Sequence, residues 1–433
     1  MSLRERLTSR MGPFGRAVIV LAGATAASQG LTVIATPVLT RLYDPAEFGA
    51  LAAFISILTI ILSVASLRYE LAVPLAPDDG LAANVLVVAL IVVAIVAAVT
   101  AVVAIPLAGE VTSWINVPDL EEYMWLLPLA VLAGGVYQGL SHWTIRRKDF
   151  KRIARTRVSQ AIAQVSTQIA LGFLVAGPIG LLIGAVLGRF NGTGTLALAF
   201  WKNDRAVLGF VNRRGLRGAA GRYRRFPQVS SGSALLNALG IQLPPLLLSV
   251  FYGAQVLGWF ALGQRVIGLP MMIVGIAVAQ VYFGHAAEYA RTDLGKLRGL
   301  FYKTARRLAI GALIPILPIA IAGPWLFTHV FGPEWTEAGE YVRVLSVTYF
   351  VQFVAVPLGQ TLNVFGRLEL QLFYDVIRLV LAAGAIIVAH ALGWSPLAAV
   401  ASYAVGMLIA YLLSFYLSRS MFTGQTIGNN APA

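Results

Sequence analysis

The sequence predicts an all-α integral membrane protein with twelve transmembrane helices, arranged as two six-helix bundles related by a parallel pseudo-two-fold repeat. Three observations carry that prediction. Of 433 residues, 58% are hydrophobic and 12% charged, at a mean hydropathy of +0.77, whereas an ordinary soluble domain carries about 25% charged residues. Charge-free runs long enough to cross a bilayer recur along the whole chain. The first half of the chain also matches the second weakly, at an offset of 209 residues.

Taken in order, Ala17 to Thr40, Phe48 to Leu67, Gly80 to Gly109 and Tyr123 to Ile145 each hold one span. Val158 to Trp201 is too long for one and is expected to fold back at Gly177-Pro178, a dipeptide that ends helices. Phe226 to Ala287 divides at Tyr252-Gly253, and Leu308 to Pro333 and Val344 to Gly366 add two more. Leu370 to Ser418 divides at Gly393-Trp394-Ser395-Pro396. The expected organisation is a tail at 1–15, a six-helix bundle at 16–201, a basic connection at 202–225, a second bundle at 226–419 and a tail at 420–433. The basic first tail could pass for a signal peptide, but the apolar run after it exceeds a typical signal core and no small-residue cleavage site stands out, so it is read as retained.

Charge placement sets the orientation. With a cytoplasmic N-terminus, that side holds 27 of the 33 Lys and Arg, and the opposite side holds Arg41 and Arg343. Nine carboxylates (Asp44, Glu47, Glu110, Asp119, Glu121, Glu122, Glu334, Glu337, Glu340) lie outside. Both termini are therefore expected in the cytoplasm by the positive-inside rule. The net charge of +14 is mostly topology, and "NRRGLRGAAGRYRRF" reads as a face near anionic headgroups rather than a nucleic-acid site. With no Cys and four scattered His, neither a disulfide framework nor a metal cofactor is expected.

The repeat places "VLTRLYDPAEFG" over "LLSVFYGAQVLG", so that Thr40, Tyr43 and Gly49 align with Ser249, Tyr252 and Gly258. An even number of spans per half makes such a repeat parallel. A cavity between the bundles follows, and the first and seventh spans are expected to meet there.

Charged residues within or at the edge of spans are the candidate functional groups: Arg68, Glu70, Arg189, Arg265, Asp375 and Arg378. Each costs at least about 2.5–3.5 kcal/mol at mid-helix, so each needs a reason. Arg265 sits roughly 12 Å into its helix, too deep for easy snorkelling. Arg189 follows a ladder of Gly180, Gly184, Gly188 and Gly192 that invites close approach by another helix, and it either lines the cavity or, at that contact, caps a carbonyl or pairs with an acid. Arg68 has an apolar stretch beyond it. Asp375 and Arg378, three residues apart, can pair with each other. Glu70, two residues from Arg68, falls on a different helix face and so has its partner elsewhere. An excess of cations suits an anion, and Arg fits phosphate oxygens with paired donors. Gln29 and Thr32 in the first span and Asn237 and Gln242 in the seventh are the candidate polar lining, though helix-to-helix hydrogen bonding explains such residues equally well. Glu70 and Asp375 are the candidates for ion coupling.

No G-x-x-x-x-G-K-[ST] loop occurs and no segment is long enough for an ATPase domain, so the reading is a secondary or facilitated transporter and not an enzyme. "ATPVLTRLYDPAEFGALAAFISI", with "SLRYELAVPLAPDD" after it, closely resembles the N-terminal signature of Wzx-type polysaccharide (O-antigen) flippases of the multidrug/oligosaccharidyl-lipid/polysaccharide (MOP) exporter superfamily. The twelve spans, the basic turn "IRRKDFKRIARTR" and the two-bundle layout extend the resemblance over most of the chain. It implies a MATE-like fold in the bacterial cytoplasmic (inner) membrane. The activity it implies is alternating-access transfer of undecaprenyl-diphosphate-linked oligosaccharide to the outer leaflet, with Arg41, Arg68, Arg189 and Arg265 around the diphosphate. Arg41 and Arg68 lie in the signature itself, whereas Arg189 and Arg265 carry over by position in the fold only. The implied partners are the polyprenyl-diphosphate-linked glycan, membrane lipid, and polymerase and chain-length proteins of the glycan pathway. A multidrug antiporter of the same superfamily and a non-transporting scaffold of a glycan-assembly complex are the alternatives.

Overall fold

The computed structural model describes residues 13–422. Most of both expected tails therefore lies outside the described residues. The chain divides into two units, Met1–Gly258 and Trp259–Ala433, and no strand occurs among the described residues. Among the described residues, eight helical segments are long and apolar enough to cross a membrane. Their apolar faces are bare: Val102, Ile314 and Val380 are 74%, 77% and 61% exposed, which water would penalise and a lipid chain accepts.

The first unit begins with α1 (Pro13–Leu39) and α2 (Pro45–Leu62), joined by a tight turn. Asp44 caps α2: its Oδ1 accepts the Glu47 amide at 2.8 Å while Glu47 Oε2 accepts the Asp44 amide at 2.8 Å, with Pro45 at the first helical position. Hydropathy extends this span to Leu67, but α2 stops at Leu62. Leu67 and Arg68 then take left-handed backbone, at φ 48° and 63°, and a 3-10 helix covers Tyr69–Leu75. After α3 (Asp79–Ala104) come a short α4 (Ala108–Trp114) and α5 (Leu126–Arg146). α6 (Phe150–Gly172) and α7 (Ile179–Asn203) turn back at Gly177, φ 89°, where the dipeptide predicts it. The basic connection folds into α8 (Arg213–Arg222), and α9 (Ser231–Tyr252) packs on α2. The repeat alignment places this seventh long helix against the first, and its packing on the second is a contact that the alignment does not anticipate.

α10 (Ala254–Gly263) follows Gly253, at φ 90°. In the second unit a single π-helical turn at Gln264–Gly268 leads into α11 (Leu269–Thr292). α12 (Leu294–Phe331) contains Pro315, Pro318 and Pro324 and leaves helical geometry at Ala322. α13 (Thr336–Leu358), the short α14 (Gln360–Val364), α15 (Leu368–Ala391) and α16 (Pro396–Ser420) complete it. Helices start earlier than hydropathy indicates, since α6 takes in Lys151, Arg152, Arg155 and Arg157, and α12 takes in Lys296 to Arg307. Asp149 and Asp293 cap the two starts. Lys and Arg are good helix formers, so the helix continues past the apolar stretch to the nearest capping residue.

Candidate functional site

In the first unit the segment Thr40 to Gly49 is held by side chains far along the chain. The Tyr43 ring lies over Gly172 and Gly180, where a Cβ at either glycine would collide with it. Its hydroxyl donates to the Gln168 carbonyl at 2.7 Å. Burial, and then the nearby Glu47 carboxylate, push the Tyr43 hydroxyl up to about 12 in pKa, so it remains a donor. Gly49 and Gly258 form a reciprocal contact. A Cβ on Gly49 would strike the Ala254 carbonyl, and one on Gly258 would strike the Pro45 carbonyl. Ala254 and Gly258 stand in the repeat alignment over Pro45 and Gly49, so equivalent positions exchange equivalent contacts.

Arg41 is exposed, and its Nη1 donates to the Pro37 carbonyl at 2.6 Å. Arg68 is one-third exposed, and its Nη1 stands 3.6 Å from Oε1 of Glu70, itself 2% exposed. Ser66 Oγ donates to the other Glu70 oxygen. The expectation that Glu70 and Arg68 face apart is therefore corrected: it assumes α-helix, and the left-handed turn at Arg68 folds the two side chains together. Arg189 Nη1 donates to the Ala185 carbonyl of its own helix at 3.0 Å, a carbonyl-capping contact of the kind the sequence reading includes among its alternatives.

The glycine ladder beside Arg189 has a matching ladder on α6. Gly184, Gly188 and Gly192 lie against Gln168, Gln164 and Gln160, so close that a Cβ at any of the three would overlap a glutamine. Sequence reasoning finds the glycines and misses the glutamines, although their spacing of four is readable. It also misses an ion-pair cluster at the end of α5. Arg146 meets Asp79 at 2.9 Å, and Arg147 meets Asp79 at 3.0 Å and Asp204 at 2.8 Å.

The polar residues of α1 satisfy themselves in part, since Thr32 Oγ1 donates to Ser28 O at 3.0 Å and Thr36 Oγ1 to Thr32 O at 2.8 Å. Gln29 is partly buried. On α9, Asn237 is exposed and Gln242 partly buried, just ahead of Pro244 and Pro245.

In the second unit Arg265 lies in the π-helical turn, a one-turn insertion frequent at functional sites. On α15, Arg378 Nη2 lies 3.5 Å from Asp375 Oδ1, as the spacing predicts, and the guanidinium covers the Tyr374 ring at 5.7 Å. Gln371 donates to the other Asp375 oxygen at 3.2 Å. A cavity of about 390 Å³ opens between α11 and α13, lined by Gln280, Gln352, Gln360, Tyr349, Phe283 and Phe353 among others. Among the described residues, no group of three His, Cys, Asp or Glu could hold a metal ion.

Residues 38–340 match the family described as polysaccharide biosynthesis protein. The chain is 23% identical over 443 residues to the lipopolysaccharide biosynthesis protein WzxC of Escherichia coli (strain K12), covering 99% of this chain and 83% of that one. Among solved structures it is similar to the lipid II flippase MurJ in an inward closed conformation, with a TM-score of 0.73 at 8% identity over 96% of this chain and 94% of that one. It is also similar to an inward-facing multidrug resistance MATE family transporter of the MOP superfamily, with a TM-score of 0.69 at 16% identity over 93% and 96% of the two chains.

Proposed function

The chain belongs to the polysaccharide biosynthesis protein family, and within it we propose a flippase that carries a polyprenyl-diphosphate-linked oligosaccharide from the cytoplasmic to the outer leaflet by alternating access. The observation that carries this reading is the match to a lipopolysaccharide biosynthesis protein along 99% of the chain, on a fold shared with a lipid II flippase. A diphosphate head cannot cross about 30 Å of hydrocarbon unaided, so the protein offers cations to the head while the polyprenyl tail stays in lipid. Arg68 and Arg265, supported by Arg41 and Arg189, are the proposed diphosphate ligands, with Gln29, Thr32, Asn237 and Gln242 as polar lining. Glu70 and Asp375, each already beside an Arg, are the proposed coupling acids, because protonating either frees its Arg.

Twelve spans in two parallel six-helix bundles, 16–201 and 226–419, with both termini in the cytoplasm of the inner membrane, complete the proposal. The reciprocal Gly49 and Gly258 contact supports the two-fold repeat, because only a two-fold relation makes such an exchange mutual. The distribution of Lys and Arg supports the orientation. Protein partners are the polymerase and chain-length proteins of the same glycan pathway. The test is translocation of a lipid-linked oligosaccharide in proteoliposomes. Outward transfer that needs the purified protein supports the reading, and organic-cation uptake without glycan transfer assigns a multidrug antiporter instead.

A further inference from the structure

A second basic site lies apart from the residues assigned above. Near the starting end of α6, a surface cavity of about 370 Å³ opens between α6 and α7. Arg152, Arg155, Thr156 and Ser159 follow at helical spacings of three and four, which sets them on one stripe of α6. Lys151 adds a third cation, and Thr195 and Ala199 close the α7 side with small side chains. Among the described residues of the lining, Asp149 is the one carboxylate, and it meets Arg152 at 3.1 Å. Among the described residues, Lys151 and Arg155 have no carboxylate at ion-pair distance, so the cavity holds a surplus of positive charge. Ser159 Oγ donates to Asn191 Oδ1 at 2.6 Å and Thr195 Oγ1 donates to Gly192 O at 2.8 Å, which fixes the orientation of these two lining side chains.

Its depth is set by the neighbouring residues. Trp201, 58% exposed, and Lys202 follow Ala199 closely, the pairing of an amphipathic ring and a cation found at a membrane-water boundary. Ile162 and Leu198 on the same two helices are 53% and 64% exposed, offering apolar surface to acyl chains. We propose that this cavity holds the anionic phosphate head of a membrane-embedded lipid, with Lys151 and Arg155 as its ion-pairing groups and the Thr156 hydroxyl beside them. The chemistry is shared by an anionic phospholipid and by a polyprenyl diphosphate. The proposal stands independently of the transport reading.

Native mass spectrometry of the purified full-length protein tests it, with phosphatidylglycerol, farnesyl diphosphate and phosphatidylcholine as probes. The wild type should retain phosphatidylglycerol, farnesyl diphosphate or both above phosphatidylcholine, and the probe retained identifies the source. K151Q and R155Q should each lower that retention roughly fivefold, the contribution of one basic side chain beside an anionic lipid surface. Ala199→Phe, which fills the cavity without changing charge, should lower it too, and Lys296→Gln, a basic residue elsewhere, should not. Equal retention of all probes by the wild type overturns the proposal. So does wild-type retention in A199F or a matching loss in K296Q, since either outcome means diffuse surface charge rather than a built cavity.

Discussion

At the scale of single residues, Arg68 is both a proposed diphosphate ligand and a structural ion-pair partner. Its guanidinium is the cation beside Glu70, a carboxylate 2% exposed, so Arg68→Ala leaves a buried charge with its pair removed. We expect R68A to lower both folded yield and glycan-lipid translocation. The double variant R68A/E70Q should recover the yield while translocation stays down roughly tenfold or more, the loss expected for a charge-assisted phosphate contact. Arg68→Lys should recover part of the transport, because a point charge lacks the paired donors. Translocation at wild-type levels in R68A/E70Q would remove Arg68 from the diphosphate site. Tyr43 is the contrasting case. Tyr43→Phe removes one hydrogen bond to the Gln168 carbonyl and should cost about 1 kcal/mol, seen as a lowered Tm with transport unchanged.

At the scale of elements, α6 and α7 touch because one gives up side chains where the other presents them. Gly188→Leu drives a side chain into Gln164 and should destabilise by about 1–3 kcal/mol or more, as overpacking does in close-packed interiors. The readout is thermal unfolding in detergent, and an unchanged Tm would mean the two helices are not held at this distance. The ladder is half legible in the sequence. Glycine every fourth residue announces a close helix contact, but glutamine every fourth residue has no such single meaning, and only the fold shows the two facing each other. Gly49→Ala should be as damaging as Gly258→Ala, because each pushes a methyl group into a carbonyl of the other segment.

At the scale of the whole molecule, orientation and coupling are the testable properties. A fluorescent protein fused after Ala433 should fluoresce in the cytoplasm, and a periplasm-dependent phosphatase fused after Asn116 should be active. The reverse pattern at both sites would invert the orientation. In proteoliposomes under imposed proton or Na⁺ gradients, Glu70→Gln and Asp375→Asn should flatten the dependence of flux on the gradient. Wild-type dependence in both variants would clear the two acids of a coupling role.

What the sequence by itself determined is what membrane insertion reads: one segment at a time, by apolar length, flanking charge and chain-breaking residues. Gly253 and Gly393 follow helix ends, and Gly177 lies in the turn between two helices, where the chain-breaking residues indicate, because a helix in lipid satisfies its backbone hydrogen bonds within the segment and depends little on neighbours. The tertiary structure decided the partners. The left-handed turn that brings Arg68 to Glu70, the Tyr43 hydroxyl on a carbonyl 125 residues away, the packing of α9 on α2 and the basic cavity beside Ala199 all depend on how segments meet. Hydropathy is blind to these because lipid solvates every apolar helix face alike. Close packing, hydrogen bonds and charge pairs between distant segments select among the possible arrangements, and they exist only once the helices are side by side.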